Sequence, residues 1–232
     1  MIGKKLLVAA ALFTAIGAAC AQDAAGSWDG LVEVRSKRMD AAFLLPGADF
    51  RPYAKVIVDP TQVAFRKDWL KDTNQNRPRL TSQVTEQQAA EILAAARSNF
   101  DDIFREAFNK AGYPVVTAPG ADAMRVSTAI INLYLNAPDT MSADRSRTYT
   151  ANAGEATLVM EVRDSETGAL LARIVDRRET MQSATPQLAT RVSNTADFRR
   201  LFKDWAGITV QGIEHLKALS PVPLDLQPKQ KL

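Results

Sequence analysis

Five side chains have the types needed for polar chemistry: Asp59, Asp164, Asp176, Arg177 and Arg178. Two carboxylates held together can act as acid and base, or as acid and nucleophile, in glycosidase-type cleavage. An arginine beside them can clamp an anion. A hydrolase of this kind needs Asp59, Asp164, Asp176 and Arg178 in one cleft, and nothing in their spacing brings a pair together. Local pattern gives each a plainer role. Asp59 precedes Pro60 and suits a turn, and Asp164 opens the loop "DSETG". In "DRRE", Asp176 to Glu179, a regular strand turns Arg177 and Arg178 to opposite faces. There, cross-strand ion pairs are the common use of such charges. No residue is assigned a catalytic role on this reading.

Other chemistries have fewer residues to work with. His215 is the single histidine and Cys20 the single cysteine, so a classical zinc site or a disulfide framework has no ligands to use. His215 sits near the end of a helical pattern, where the helix dipole favours it. No G-x-G-x-x-G or Walker pattern occurs. No metal-binding or cofactor-binding residue is assigned, and no cofactor is expected.

The elements that would position these residues begin after an export signal. Lys4 and Lys5 precede the apolar run "LLVAAALFTAIG", and small residues follow. Residues 1–21 read as a signal peptide, cut between Ala21 and Gln22 at the A-x-A pattern Ala19-Cys20-Ala21. The alternative is a lipobox, Gly17 to Cys20, with Cys20 lipidated. Gly17 stands where such boxes usually carry leucine, so plain cleavage is preferred. Without Lys4 and Lys5 the chain carries 27 basic and 26 acidic residues. A nearly neutral chain gives no electrostatic case for nucleic acid. The apolar run is short for a bilayer of about 30 Å, and no other run of spanning length follows. Membrane attachment is therefore expected only through a lipid on Cys20.

Periodicity outlines one domain over residues 22–219. "YAKVIVDPTQVAF" reads as an edge strand, a bulge or two short strands, because Pro60 interrupts the ladder. "KDTNQNRPRLTS" reads as loop. Thr85 and Gln88 fit a capping box. Ala89, Leu93, Ala96, Phe100, Ile103, Ala107 and Ala111 then form one helical stripe, closed by Gly112 and Pro114. "MRVSTAIINLYLNA" reads as a central strand. Strict alternation puts Ala129, Ile131, Leu133 and Leu135 on one face and Val126, Ile130 and Tyr134 on the other. Residues 155–179 read as a hairpin around Gly168, and a second amphipathic helix runs from about Thr195 with Gly207 and Gly212 in its middle. Residues 220–232 read as a Pro-rich, extended tail. The fold class is α+β: a mostly antiparallel sheet with two amphipathic helices packed on one face.

Two of these motifs resemble a known family. Tyr53, Lys55, Val56, Asp59 and Pro60 form a Tyr-x-Lys-Val strand leading into Asp-Pro. Glu161, Asp164, Ser165, Thr167 and Gly168 form a Glu-x-x-Asp-Ser-x-Thr-Gly hairpin, followed by Asp176-Arg177-Arg178. Together they resemble the bacterial domain-of-unknown-function family 3313, small exported envelope proteins that include many lipoproteins. The likeness runs from about Trp28 to Leu219. It implies export to the periplasm or the inner face of the outer membrane of a Gram-negative bacterium, and it supplies no catalytic residue. The expected function is a non-enzymatic binding or envelope-maintenance module, whose partner is an envelope protein or a small ligand. The alternative is the carboxylate-dependent periplasmic hydrolase. A third expectation is subunit pairing through a sheet edge or the aromatic face around Trp205.

Overall fold

The computed structural model describes residues 27–75, 83–136, 149–150, 154–180, 187–188 and 191–231. In chain order the elements are β1 (Ser27–Trp28), β2 (Leu31–Arg35), β3 (Ala41–Leu44), β4 (Lys55–Val58), β5 (Gln62–Phe65), α1 (Trp69–Gln75) and α2 (Glu86–Lys110). They continue with β6 (Ala123–Leu135), β7 (Tyr149–Thr150), β8 (Gly154–Asp164), β9 (Leu170–Glu179), β10 (Gln187–Leu188), α3 (Arg191–Leu219) and β11 (Gln230–Lys231). A nine-stranded sheet has the order β1-β2-β3-β9-β8-β6-β4, with β5 also on β6 and β11 also on β2. The pairings are antiparallel except those of β4 and β5 with β6 and of β11 with β2. The fold is α+β, and α2 and α3 cover one face of the sheet, as the periodicity predicts.

Both outer edges are built from two short strands in series. On one side β4 meets β6 at residues 123–126 and β5 meets it from Ala129. Pro60 lies at the break, where it has no N–H to donate. Thr61 N–H turns instead to Asp101 Oδ1 on α2 (3.1 Å), and its Oγ1 bonds Asp101 (2.5 Å) and Thr128 (2.7 Å). On the other side β1 and β11 meet β2 at residues 31–32 and 34–35. Short, interrupted edges leave no long template for edge-to-edge association.

The helix face of the sheet is dry: Met124, Val126, Ile130, Leu158, Met160 and Val162 are buried. Thr85 caps α2 as predicted, its Oγ1 accepting from Gln88 N–H while Gln88 Oε1 accepts from Thr85 N–H. The buried stripe of α2 differs in its second half. Phe104 and Phe108 are fully buried, and Ala111 is exposed. The helix turns 100° per residue, so a stripe followed by steps of three and four broadens, and the larger side chains take the core.

Three further expectations are corrected. The stretch read as loop from Lys71 to Ser82 is helical as far as Gln75 and lies outside the described residues over 76–82; the helix, α1, starts at Trp69. Its ring stacks on Phe65 at 3.8 Å and its Nε1–H reaches Leu135 O (3.2 Å), a tertiary anchor that outweighs the polar sequence after it. Strict alternation fails in β6. Asn132 has φ 53°, the register with β8 shifts between Ile131 and Tyr134, and both Ile131 and Asn132 are exposed. This β-bulge turns Leu133 and Leu135 to the helix face, while Ala129 and Ile131 stay on the open one. Just past the bulge, across from Leu135, Gly154 has φ 149°, and a Cβ there would lie 1.8 Å from Tyr134 O, so only glycine fits. Finally, residues 220–231 are docked rather than trailing. Val222 and Leu226 are buried, and the Val222 backbone pairs with Gly47 and Ala48.

Candidate functional site

Asp59 leaves β4 toward the open face, accepting from Arg125 Nη1 (2.8 Å) and Ser127 Oγ (2.7 Å). Asp164 pairs with Met124 and so lies on the helix side. Its Oδ1 accepts from Thr167 N–H and Oγ1 and from Glu166 N–H, and its Oδ2 from the Tyr53 hydroxyl (2.8 Å). The Thr167 N–H bond does most to hold this carboxyl below the usual range. Arg177 is on the open face and pairs with Glu155. Asp176 and Arg178 share the helix side, with Arg178 Nε 2.6 Å from Asp176 Oδ2. Leu158, opposite Asp176, is six residues from Asp164 along β8, about 20 Å. The four residues a hydrolase needs therefore do not converge; only Asp176 and Arg178 meet.

Asp176 is a buried hub. Its Oδ1 accepts from Asp40 N–H (3.0 Å), and its Oδ2 accepts from Trp205 Nε1–H (2.7 Å) and from Arg178. One carboxylate thus ties the start of β3, the end of β9 and the middle of α3. Trp205 is fully buried in the single chain, so the aromatic face expected to pair subunits is used internally.

The concavity best suited to a ligand lies elsewhere, between α2 and α3. The helices run in the same direction: Asn99 is level with Arg199, and Tyr113, just past α2, is level with Glu214. In the second half of α2, Phe100, Phe104 and Phe108 fill the space beneath, and Phe100 meets Phe202 edge-on at 5.2 Å. In the first half α2 presents Ile92, Ala95 and Ala96, which are too short to reach α3. A cavity of about 190 Å³ remains. Phe198 and Phe202 form its α3 wall, and Leu133 and Leu135, turned inward by the bulge, form its sheet wall. Gln88 and Glu91 line one end, Asn99 and Arg199 the other. Asn99 Oδ1 accepts from Arg199 Nη1, and no carboxylate lies within 4.0 Å of Arg199 among the described residues. An apolar chamber with a few polar rim groups is the usual form of a small-molecule site.

None of these lining residues is a predicted site residue. The sequence shows Ala96, Phe198 and Phe202 as core stripe, and the signal for a cavity is only the run of alanines in one half of α2. Cys20, Ala21 and Gln22 lie outside the described residues. Among the described residues, no three His, Cys, Asp or Glu side chains group as a metal site, and no helix is long and apolar enough to cross a membrane.

A family model described as a protein of unknown function, DUF3313, matches residues 21–208. No curated protein matches the chain. Among solved structures, the chain is similar to the PelC dodecamer from Paraburkholderia phytofirmans, at 12% identity and TM-score 0.34, covering 70% of this chain and 95% of that one. It is similar also to a DUF330 protein from Xanthomonas campestris, at 11% identity and TM-score 0.39, covering 75% and 91%. Likeness at this level carries nothing about activity.

Proposed function

The chain belongs to DUF3313, a family of unknown function, and we propose from its own geometry that it is an exported envelope protein that binds a small amphiphile. The N-terminal signal pattern supports export to the periplasm or the inner face of the outer membrane. The observation that carries the binding reading is the cleft between α2 and α3. A dry cavity of 150 Å³ already holds a benzene ring, so 190 Å³ accepts an aromatic ring or a short aliphatic segment. Arg199, held by Asn99 and with no carboxylate within 4.0 Å among the described residues, suits an anionic head at one end. The ligand class is therefore a single short chain or ring bearing an anionic group. This is a binding module: Glu91 is the single carboxylate among the described lining residues, so the lining supplies no acid pair for hydrolysis.

The test is titration of the chain beginning at Gln22 with decanoate and with anilinonaphthalene sulfonate, read by dye fluorescence. Ala95 is exposed on the cleft wall, so Ala95→Phe fills the cavity without disturbing the core. It should weaken both ligands at least ~10-fold, a change of about 1.4 kcal/mol, at an unchanged melting midpoint. Arg199→Ala should weaken decanoate more than decanol. Saturable binding that ignores Ala95→Phe would refute the reading. The address is tested separately by the mass of the native N-terminus: a start at Gln22 or an acylated Cys20 supports export, and an intact Met1 overturns it.

A further inference from the structure

We propose that a second cleft, on the opposite flank of α3, binds a phosphate-class oxyanion. It lies between the β2–β3 turn and α3, has a volume of about 430 Å³, and is lined by Lys37, Arg38, Arg178 and Lys203 with Asp204 as the one acidic lining residue. The arginines of the open sheet face hold carboxylates: Arg125 pairs with Asp59, Arg163 and Arg173 with Glu161, Arg177 with Glu155. In the cleft, Lys37, Arg38 and Lys203 have no carboxylate within 4.0 Å among the described residues. Four cations stand against Asp204 in the lining, with Asp176 behind Arg178 and Glu106 of α2 acting on Lys203 from a distance, so positive charge is in excess and a bound anion relieves the remaining repulsion.

Two of the four cations are held in place before any ligand arrives. Arg178 is fixed on two sides, by Asp176 at Nε and by Arg38 O at Nη2 (2.6 Å each), which leaves its Nη1 without a partner among the described residues. Arg38 donates to the Gln211 side chain on α3. The turn that carries Lys37 and Arg38 is itself pinned. Ser36 Oγ accepts from Arg38 N–H (3.2 Å) and Met39 N–H (3.0 Å), and Met39 is buried. Planar guanidiniums with fixed axes match the oxygens of a phosphate, and lysines supply further charge from the rim. Gly207 completes the wall. Glycine weakens a helix interior, and a Cβ here would meet nothing within 4 Å, so packing does not require it. Its effect is to keep the cleft open between Arg178 and α3. The buried Asp176 acts as a positioning residue: it touches no ligand and aims Arg178.

The shared chemistry is a phosphate group, whether free or on a lipid head. The probes are inorganic phosphate, by calorimetry at low salt, and phosphatidic acid in phosphatidylcholine vesicles, by co-sedimentation. Lys37→Ser with Lys203→Ser removes two exposed cations, and Gly207→Met fills the cleft. The lysine pair should keep the wild-type melting midpoint and Gly207→Met should keep or raise it, both should weaken binding at least ~10-fold, and raised salt should weaken wild-type binding in the same direction. Saturable phosphate binding identifies a free-anion site. Binding of phosphatidic acid vesicles alone identifies a headgroup site. Either result supports the proposal. Failure of both probes, or binding that neither variant changes, overturns it. The decanoate cleft shares none of these residues, so the two sites fail independently.

Discussion

The two faces of the central sheet carry the same residue types and use them in opposite ways. On the open face, charges form a ladder: Asp59 with Arg125, Arg163 with Glu161, Glu161 with Arg173, Arg173 with Asp29. Most of these side chains stand beside water; Arg173, at 7% exposure, is the exception and is bracketed by Glu161 and Asp29. On the helix face stands Asp176, whose side chain is 3% exposed and serves three donors from three elements. The contrast shows that burial, not charge, decides what an ion pair is worth. An exposed pair gains little Coulomb energy in high dielectric. A buried carboxylate must have every donor in place, and each of those donors then depends on it.

The sharpest way to break this comparison is Asp176→Ala. It strips the acceptor from Trp205 Nε1–H and Asp40 N–H and leaves Arg178 without its counter-charge. Urea denaturation should show a loss of about 3–5 kcal/mol; a loss below about 1 kcal/mol would mean that the hub does not hold these elements together.

Glu161 tests the middle ground. Burial alone would raise its pKa, but hydrogen bonds from Arg173 and Arg163 more than offset this and hold it below its ordinary value of 4.5. A carboxyl lowered in the folded state contributes stability that is present above 4.5 and is lost as the pH falls through the lowered value. Asp164, lowered mainly by the Thr167 N–H bond, acts in the same direction below 3.8. Glu161→Gln should cost about 1–2 kcal/mol at pH 7 and flatten the fall of the melting midpoint between pH 5 and pH 3, relative to the wild type, at those two set points of the scan. An acid profile identical to the wild type would remove Glu161 from the comparison.

The smallest effect belongs to Arg177, whose side chain is 64% exposed in its pair with Glu155. Arg177→Ala should leave the urea midpoint close to that of the wild type, with any difference smaller still in 1 M salt. A loss as large as that of Asp176→Ala would erase the difference between the faces.

The hairpin was fully legible in the sequence, because Asp164 and Gly168 build their turn from local bonds: Gly168 has φ 73°, and Asp164 accepts from the loop's own N–H groups. The cap of α2 was legible for the same reason. Arg177 and Arg178 were legible as residues on opposite faces because a strand has period two. The inward turn of Leu133 and Leu135 was not. A bulge at Asn132 is set against Ala156 of β8, some twenty residues away, and one inserted residue reverses every side chain after it. The α2–α3 cleft was hidden for a related reason: a cavity belongs to the space between elements, and Ala95 and Ala96 look the same whether α3 is near or far.

By itself, then, the sequence determined the features whose causes are local: the helix cap, the hairpin turn, the break at Pro60 and the alternation of charge along β9. The tertiary structure alone decided which carboxylate is buried, which face each leucine of β6 takes, and where α2 and α3 leave room. Those depend on contacts between residues far apart in the chain, as between Asp176 and Trp205 or Arg178 and Arg38, and no short-range period encodes them.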